Sequence, residues 1–106
     1  MTIIRSAILQ GQVPPERQAA FDALMRGTVV PALLTYPGIR SVELRRQVQA
    51  DAGAAPIYMV FDLRFDSLAD MDAALASPTR QIVRGHMAQA MKGFDGQVVH
   101  RVYEVL

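Results

Sequence analysis

Residues 57–65, IYMVFDLRF, constrain the fold of this chain more than any other stretch. Apolar residues stand at every second position, and the residues between them vary in polarity. Successive side chains of a strand point to opposite faces, so this alternation predicts a β-strand with one buried face. We expect the buried face to carry Ile57, Met59, Phe61, Leu63 and Phe65, and the second face to carry Tyr58, Val60, Asp62 and Arg64.

Three further segments have the composition or the alternation of strands. Residues 2–9 are rich in β-branched and apolar types, residues 39–48 alternate, and residues 98–105 carry a valine-rich run. Such segments, bounded by residues that favour turns, are typical of strands. The chain is therefore expected to contribute four strands.

Two helical regions separate these strands. The first extends from about Glu16 to Tyr36, with apolar residues at helical spacing. Pro31 lies inside it, and its ring clashes with the carbonyl group of Gly27, so we expect a kink or a break there. The second region consists of two segments, because the residues between Leu75 and Pro78 interrupt the pattern.

The resulting order is strand, helix, strand, strand, helix, strand. This is the order of the ferredoxin-like, or split βαβ, arrangement. We predict an α+β fold in which a four-stranded antiparallel sheet carries both helices on one face. A length of 106 residues suits one domain, covering residues 1–106, with a core that needs no disulfide or metal.

Composition and charge narrow the possible partners. The net charge is +1, and the basic residues are scattered from Arg5 to Arg101 without a basic block, so a nucleic-acid partner is not expected. Cysteine is absent, which excludes thiol catalysis and agrees with a cytoplasmic location. No signal segment and no apolar run of membrane-spanning length is found, so no membrane partner is expected.

The sheet face that carries no helices combines apolar and charged residues, so its apolar residues would be exposed to solvent unless another surface packs against them. Faces of this kind commonly pack against a partner. We predict a homodimer formed by stacking two sheets, in which opposite charges form cross-strand pairs at the interface. The candidate interface residues are Tyr58, Asp62, Arg64, Glu43 and Arg45.

Methionines recur on the predicted interface between helices and sheet. Methionine fills irregular gaps and adapts to ligands of varied shape, so this space suits an apolar or aromatic small molecule. The alternative is an ordinary, adaptable core. Tyr36 ends the first helix and is able to turn its hydroxyl into the same space. The candidate pocket residues are Tyr36, Met25, Val29, Met59, Phe61 and Met87.

The two histidines are the other candidates for chemistry. His86 stands at the border between the apolar stripe and the exposed surface of the last helix. An imidazole there can act as a general acid or base, which makes His86 the candidate catalytic residue, but it can equally bond a carbonyl group or solvent. Both phases of the last strand carry valines, so the face of His100 is ambiguous. The spacing of the two histidines predicts no metal site, and no motif indicates a cofactor.

Three parts of the chain together resemble the EthD-like family of the dimeric α+β barrel superfamily. They are Phe21 in the first helix, residues 29–44, VVPALLTYPGIRSVEL, and residues 61–78, FDLRFDSLADMDAALASP. The resemblance extends over nearly the whole chain. Two positions differ: Val29 stands where the family often has a histidine, and His86 stands where it tends to be acidic.

The resemblance implies a ferredoxin-like dimer that serves small-molecule catabolism. One hypothesis is an enzyme without a cofactor, an oxygenase, isomerase or cyclase, that acts on an apolar or aromatic substrate. In that hypothesis His86 accepts or donates a proton, and Tyr36 orients the substrate. The alternative hypothesis is a non-catalytic accessory or small-molecule-binding protein of an oxidation pathway. One fold hosts many chemistries, so the resemblance names no substrate.

Overall fold

The structure, a computed structural model, describes all 106 residues and has the predicted order of elements. Four strands, β1 (Thr2–Gln12), β2 (Ser41–Arg46), β3 (Ile57–Phe65) and β4 (Asp95–Val105), form one antiparallel sheet in the order β2-β3-β1-β4. The two central strands, β1 and β3, are therefore the first and third in sequence. The predicted ferredoxin-like α+β fold is confirmed.

The second helical region has the predicted interruption. Its helices are α3 (Leu68–Leu75) and α4 (Thr79–Met91). The Ser67 hydroxyl caps α3 by accepting a hydrogen bond from the backbone N–H of Asp70 at 3.0 Å. Pro78 directly precedes α4, a position where a missing N–H costs little.

Of the kink or break expected at Pro31, the break does not occur: the first helical region is continuous, with an irregular turn ahead of the proline. Helix α1 (Gln18–Leu24) leads into a π-helical turn (Met25–Val29) and then into the short helix α2 (Val30–Leu33). The N–H of Val30 bonds to the carbonyl of Met25, five residues back. This wider turn places Pro31 at the start of α2, where its lack of an N–H is tolerated. No helix of the structure is both long and apolar enough to cross a membrane.

The core lies between the helices and the inner face of the sheet. Its largest fully buried side chains come from the two central strands and from the first helical region. They are Phe61, Phe65, Leu9, Met25 and Val29. The inner face of β3 thus supplies the aromatic centre of the core, as its alternation predicts.

A bulge at the start of β3 changes the faces predicted for two residues. Leu9 of β1 pairs with Met59, but the next residue, Gln10, pairs with Ile57, so Tyr58 has no direct partner on β1. The extra residue shifts the alternation by one position. Tyr58 therefore turns inward, and Ile57 turns outward to border a groove on the opposite face.

The inward side chain of Tyr58 completes an aromatic cluster with the helix layer. Its ring centroid lies 5.6 Å from that of Phe21 and 6.4 Å from that of Phe94. The Tyr58 hydroxyl donates a 2.6 Å hydrogen bond to Asp22 of α1, and Arg46 pairs with the same carboxylate at 2.8 Å. The prediction that Tyr58 shares the outer face with Asp62 is wrong, because the bulge reverses its direction.

The outer face of the sheet, here called the open face, carries no helix. The register places four of the predicted interface residues on it: Glu43, Arg45, Asp62 and Arg64. Asp62 accepts a 2.6 Å hydrogen bond from the Ser6 hydroxyl and pairs with Arg45 at 2.6 Å. Around this polar centre lie the apolar residues Ile4, Ile8, Ile57, Val60, Val99, Tyr103 and Val105.

Candidate functional site

A cavity lies between the helix layer and the middle of the sheet. The centre of a water molecule can reach about 60 Å³ of it, and the space opens to solvent at the mouth. This volume is below the roughly 300–1,000 Å³ of ligand pockets in proteins, but the mostly apolar wall is of the same kind. Its apolar wall consists of Ala7, Val29, Leu33, Phe61, Leu63, Leu75, Val83 and Met87.

Four polar side chains enter this apolar space from different elements. Arg5 lies on the inner face of β1, and His100 lies on β4 directly opposite Ala7. Arg80 comes from the first turn of α4, and Tyr36 from the turn that follows α2. The sheet and both helical regions are all needed to bring these groups together.

The hydroxyl of Tyr36 is the one buried side-chain polar atom that has no hydrogen-bond partner in the protein. The residue is 3% exposed. A buried polar group without a partner costs about 1–3 kcal/mol relative to a hydrogen-bonded one. Because Tyr36 borders the cavity, an atom held there can supply the missing bond.

The two arginines of the cavity have no carboxylate partner. The four ion pairs of the structure involve Arg40, Arg45 and Arg46, and none involves Arg5 or Arg80. Burial, and then the positive charge of Arg80, lowers the pKa of the Arg5 guanidinium. The cavity is therefore electropositive at neutral pH. No group of three or more His, Cys, Asp or Glu side chains is placed to hold a metal ion.

His100 borders this cavity and is exposed to solvent. Partial burial, and then the charges of Arg5 and Arg80, lowers the pKa of its imidazole below the usual 6.5. A neutral imidazole has one nitrogen free to accept a proton. The imidazole of the cavity is thus one whose neutral, basic form is favoured at neutral pH.

Four of the six predicted pocket residues line the cavity: Tyr36, Val29, Phe61 and Met87. Met25 and Met59, at 0% and 2% exposure, are buried in the core beside it and do not reach it. The methionine pattern therefore located the layer that contains the cavity, but it did not distinguish the residues that line the cavity from those buried in the core beside it.

His86, predicted as the catalytic residue, does not reach the cavity. It is exposed on α4, whereas Arg80, Val83 and Met87 of the same helix border the cavity. Each residue turns a helix by about 100°, so the position next to Met87 is directed away from the sheet. The structure places His100 at the cavity instead of His86.

Sequence reasoning missed Arg5, Arg80 and His100 as site residues. The first strand and the last strand carry apolar residues in both phases, so their sequences do not show which side chains face inward. Ala7 pairs with both the inward-facing Phe61 and His100, and this register shows which side chains of the two strands face inward. For Arg80, the only available signal was its position three residues before Val83 and seven before Met87.

The fold and the site together define a ferredoxin-like α+β domain with a mostly apolar cavity between its helices and its sheet. Solved structures share this fold over the full chain. An ethyl tert-butyl ether D (EthD) family protein from Bacillus halodurans superposes with a TM-score of 0.76 at 21% identity, covering 100% of both chains. The predicted resemblance to that family is thus confirmed at the level of structure.

Two other similar structures extend the comparison. A protein from Bordetella bronchiseptica, described as a candidate antibiotic biosynthesis monooxygenase, has a TM-score of 0.70 at 19% identity over 99% of this chain and 97% of its own. A dimeric ferredoxin-like protein of unknown function from Thermobifida fusca has a TM-score of 0.66 at 15% identity, over 99% and 92%. At these identities the likeness establishes the fold. No protein-family model and no curated protein sequence matches the chain.

Removing the Tyr36 hydroxyl tests whether it lacks a partner. We expect Tyr36→Phe to leave the free energy of unfolding unchanged or to raise it by about 1 kcal/mol, because the buried group loses no hydrogen bond. The matched variant Tyr58→Phe loses its bond to Asp22 and is expected to lower that free energy by about 1–2 kcal/mol. Urea unfolding of both variants measures the difference, and a larger loss for Tyr36→Phe would contradict this assignment.

The environment of His100 predicts a pH dependence. Its folded pKa is lowered, so between that value and 6.5 the unfolded chain binds more protons than the folded one. The free energy of unfolding should therefore be highest above pH 6.5 and should fall as the pH drops through this interval. Proton NMR of the two imidazoles, with His100→Gln for assignment, measures the pKa. A value for His100 at or above 6.5 would refute the prediction.

Proposed function

We propose that this chain binds an apolar or aromatic small molecule between its helices and its sheet and promotes proton transfer on it, as a cofactor-independent enzyme of small-molecule catabolism. The observation that carries the proposal is the buried, unpartnered Tyr36 hydroxyl beside an apolar cavity. Buried polar groups are normally hydrogen-bonded, so this hydroxyl marks a place where a ligand atom or a water molecule can bond. The absence of cysteine agrees with a cytoplasmic site of action.

The wall of the cavity supports an apolar or aromatic ligand body. Eight of the twelve lining residues are apolar, and Phe61 contributes an aromatic ring from the central strand β3. Polar groups are few and come from fixed elements, which is the usual arrangement where orientation of a ligand matters. Tyr36 is able to donate its hydroxyl proton to an oxygen atom of that ligand.

His100 supports proton transfer as the type of chemistry. In our proposal its neutral imidazole accepts a proton from a carbon or oxygen atom of the ligand and returns it at another position. The net change is an isomerisation or cyclisation, which needs no external oxidant or reductant. Arg5 and Arg80 stabilise the negative charge that appears on the ligand in between.

Two names among the similar structures bear on the alternatives. The monooxygenase name of the Bordetella bronchiseptica protein is compatible with oxygenation of an aromatic compound on this fold. An accessory, non-catalytic binding protein would use the same cavity without turnover. Binding followed by product analysis of the bound compound separates an enzyme from an accessory protein.

We further propose a homodimer in which two open faces stack. Tyr103 and Val105 are 49% and 47% exposed on this face, and the half-buried Ile8 and Val60 lie on it as well. A groove of about 310 Å³ crosses the face and offers a concave surface to a second copy. The Thermobifida fusca protein with this fold is described as dimeric, which supports the proposal.

Filling the cavity tests the proposed ligand site. Ala7→Leu adds three carbon atoms in the wall opposite His100, so we expect binding of a fluorescent aromatic probe such as 1-naphthol to weaken at least about tenfold. Ala88→Leu, at an exposed position of α4, is the matched control and should bind as the wild type does. Equal binding by wild type and Ala7→Leu, or no binding to the wild type across a panel of aromatic compounds, would refute the site.

A charge on the open face tests the dimer. Ile8→Arg should convert the wild-type dimer, of twice the 11.7 kDa chain mass, into a monomer, because an arginine there is buried against its own copy. Ile82→Arg, at an exposed apolar residue of α4, should remain dimeric. Light scattering at micromolar concentration measures the mass, and circular dichroism verifies folding. A wild-type mass of one chain would overturn the proposal.

A further inference from the structure

We propose that the ligand of the cavity is a carboxylate, carried on the apolar or aromatic body that the wall accepts. The inference rests on the proposed function, since it assigns the charged end of the same ligand. It follows from how the chain distributes its arginines and from which polar groups meet at the cavity.

Arg5 and Arg80 differ from every other arginine of the chain. They are the only two that are not exposed to solvent, and both border the cavity. Exposed arginines need no partner, because water solvates them. A partly buried guanidinium normally has a carboxylate partner, since removal of a charge from water is costly.

The protein itself supplies no such partner to either side chain. Its carboxylates pair instead with surface arginines, as Asp66 does with Arg40 and Asp22 with Arg46. Two like charges are held near one another at the edge of an apolar space, and neither is compensated from within the chain. An anionic ligand would complete both pairs.

The remaining polar groups stand at the same end of the cavity. The charges of Arg5 and Arg80 both act on the His100 ring, and the Tyr36 hydroxyl lies within electrostatic range of Arg5. Arg80 also comes from the first turn of α4, where the helix dipole adds partial positive charge. The four groups therefore line one cavity and influence one another there, while the rest of its wall is apolar.

A carboxylate fits this arrangement better than a larger anion. A guanidinium binds the two oxygens of a planar carboxylate through paired N–H donors, and a phenol donates one further hydrogen bond. With two arginines and one hydroxyl, both oxygens of one carboxylate obtain partners. A phosphate monoester carries a third oxygen and a second negative charge, for which the cavity offers no further positively charged side chain than Arg5 and Arg80.

The test compares each carboxylate with its neutral amide twin. We would titrate wild-type protein with benzoate, phenylacetate and 2-naphthoate, and with benzamide, phenylacetamide and 2-naphthamide, by calorimetry or NMR. We expect at least about tenfold tighter binding of the best carboxylate than of its amide, because charge-assisted hydrogen bonds form only with the anion. The preference should shrink as salt is raised, since screening weakens charge attraction. Phenyl phosphate is titrated in the same way, so that the affinity for a phosphate monoester can be compared with the affinity for the carboxylates.

Variants identify which arginine accounts for the preference for carboxylates. Arg80→Gln should lose at least about tenfold in carboxylate affinity and leave amide affinity unchanged. Arg84→Gln removes an exposed arginine one turn later on α4 that does not border the cavity, and should bind as the wild type does. Arg5→Gln should repeat the effect of Arg80→Gln from a different element. The comparison in wild-type protein does not depend on any variant folding.

The outcomes separate this inference from the proposed function. Equal affinity for carboxylates and amides would overturn the carboxylate assignment and leave the apolar ligand site standing. Tighter binding of phenyl phosphate than of any carboxylate would also overturn it. If neutral aromatic probes fail as well, the ligand site itself fails, and the assignment falls with it.

Discussion

The pairing of β1 with both of its neighbours is the constraint on which the rest of the structure depends. It places Ala7 between Phe61 of β3 and His100 of β4, in the middle of the inner face. Ala7 has only a methyl group, so it fills little of the space between sheet and helices, and the cavity lies beside it. Protein interiors are otherwise packed about as densely as organic crystals.

The first helical region forms part of the cavity wall, and it stays continuous although it contains Pro31. The π-helical turn ahead of Pro31 keeps the first helical region continuous and carries Val29 to the wall of the cavity. The region then ends at a turn that buries Tyr36 with its hydroxyl unbonded. Single π-helical turns are frequent at functional sites, and a buried polar group without a partner calls for an explanation of its own.

The polar groups of the sheet have different consequences on its two faces. On the open face, Asp62 is bonded to Ser6 and Arg45, so this partly buried carboxylate has partners within the chain, while Arg64 stays exposed to solvent. On the inner face, Arg5 and His100 meet Arg80 without a carboxylate. The open face is therefore suited to contact with a second protein surface, and the inner face to a small charged ligand.

The sequence by itself determined the order and the type of the elements, because alternation and helical spacing are local properties of a chain. It located the β3 strand, the interruption at Pro78 and the methionine-rich layer. It also named Tyr36, Val29, Phe61 and Met87 as pocket residues, since each lies on a stripe with an unambiguous direction.

Only the tertiary structure decided which faces the ambiguous residues take. The bulge that turns Tyr58 inward is a property of the pairing between two strands, and no periodicity within β3 reveals it. The register of β1 against β4, not the valines around His100, brings that imidazole to the cavity while His86 stays in solvent. Arg5 and Arg80, which are 75 residues apart by their numbers, meet only because the sheet and α4 pack together. A local sequence pattern cannot show that two distant residues border the same cavity, because this proximity depends on long-range packing.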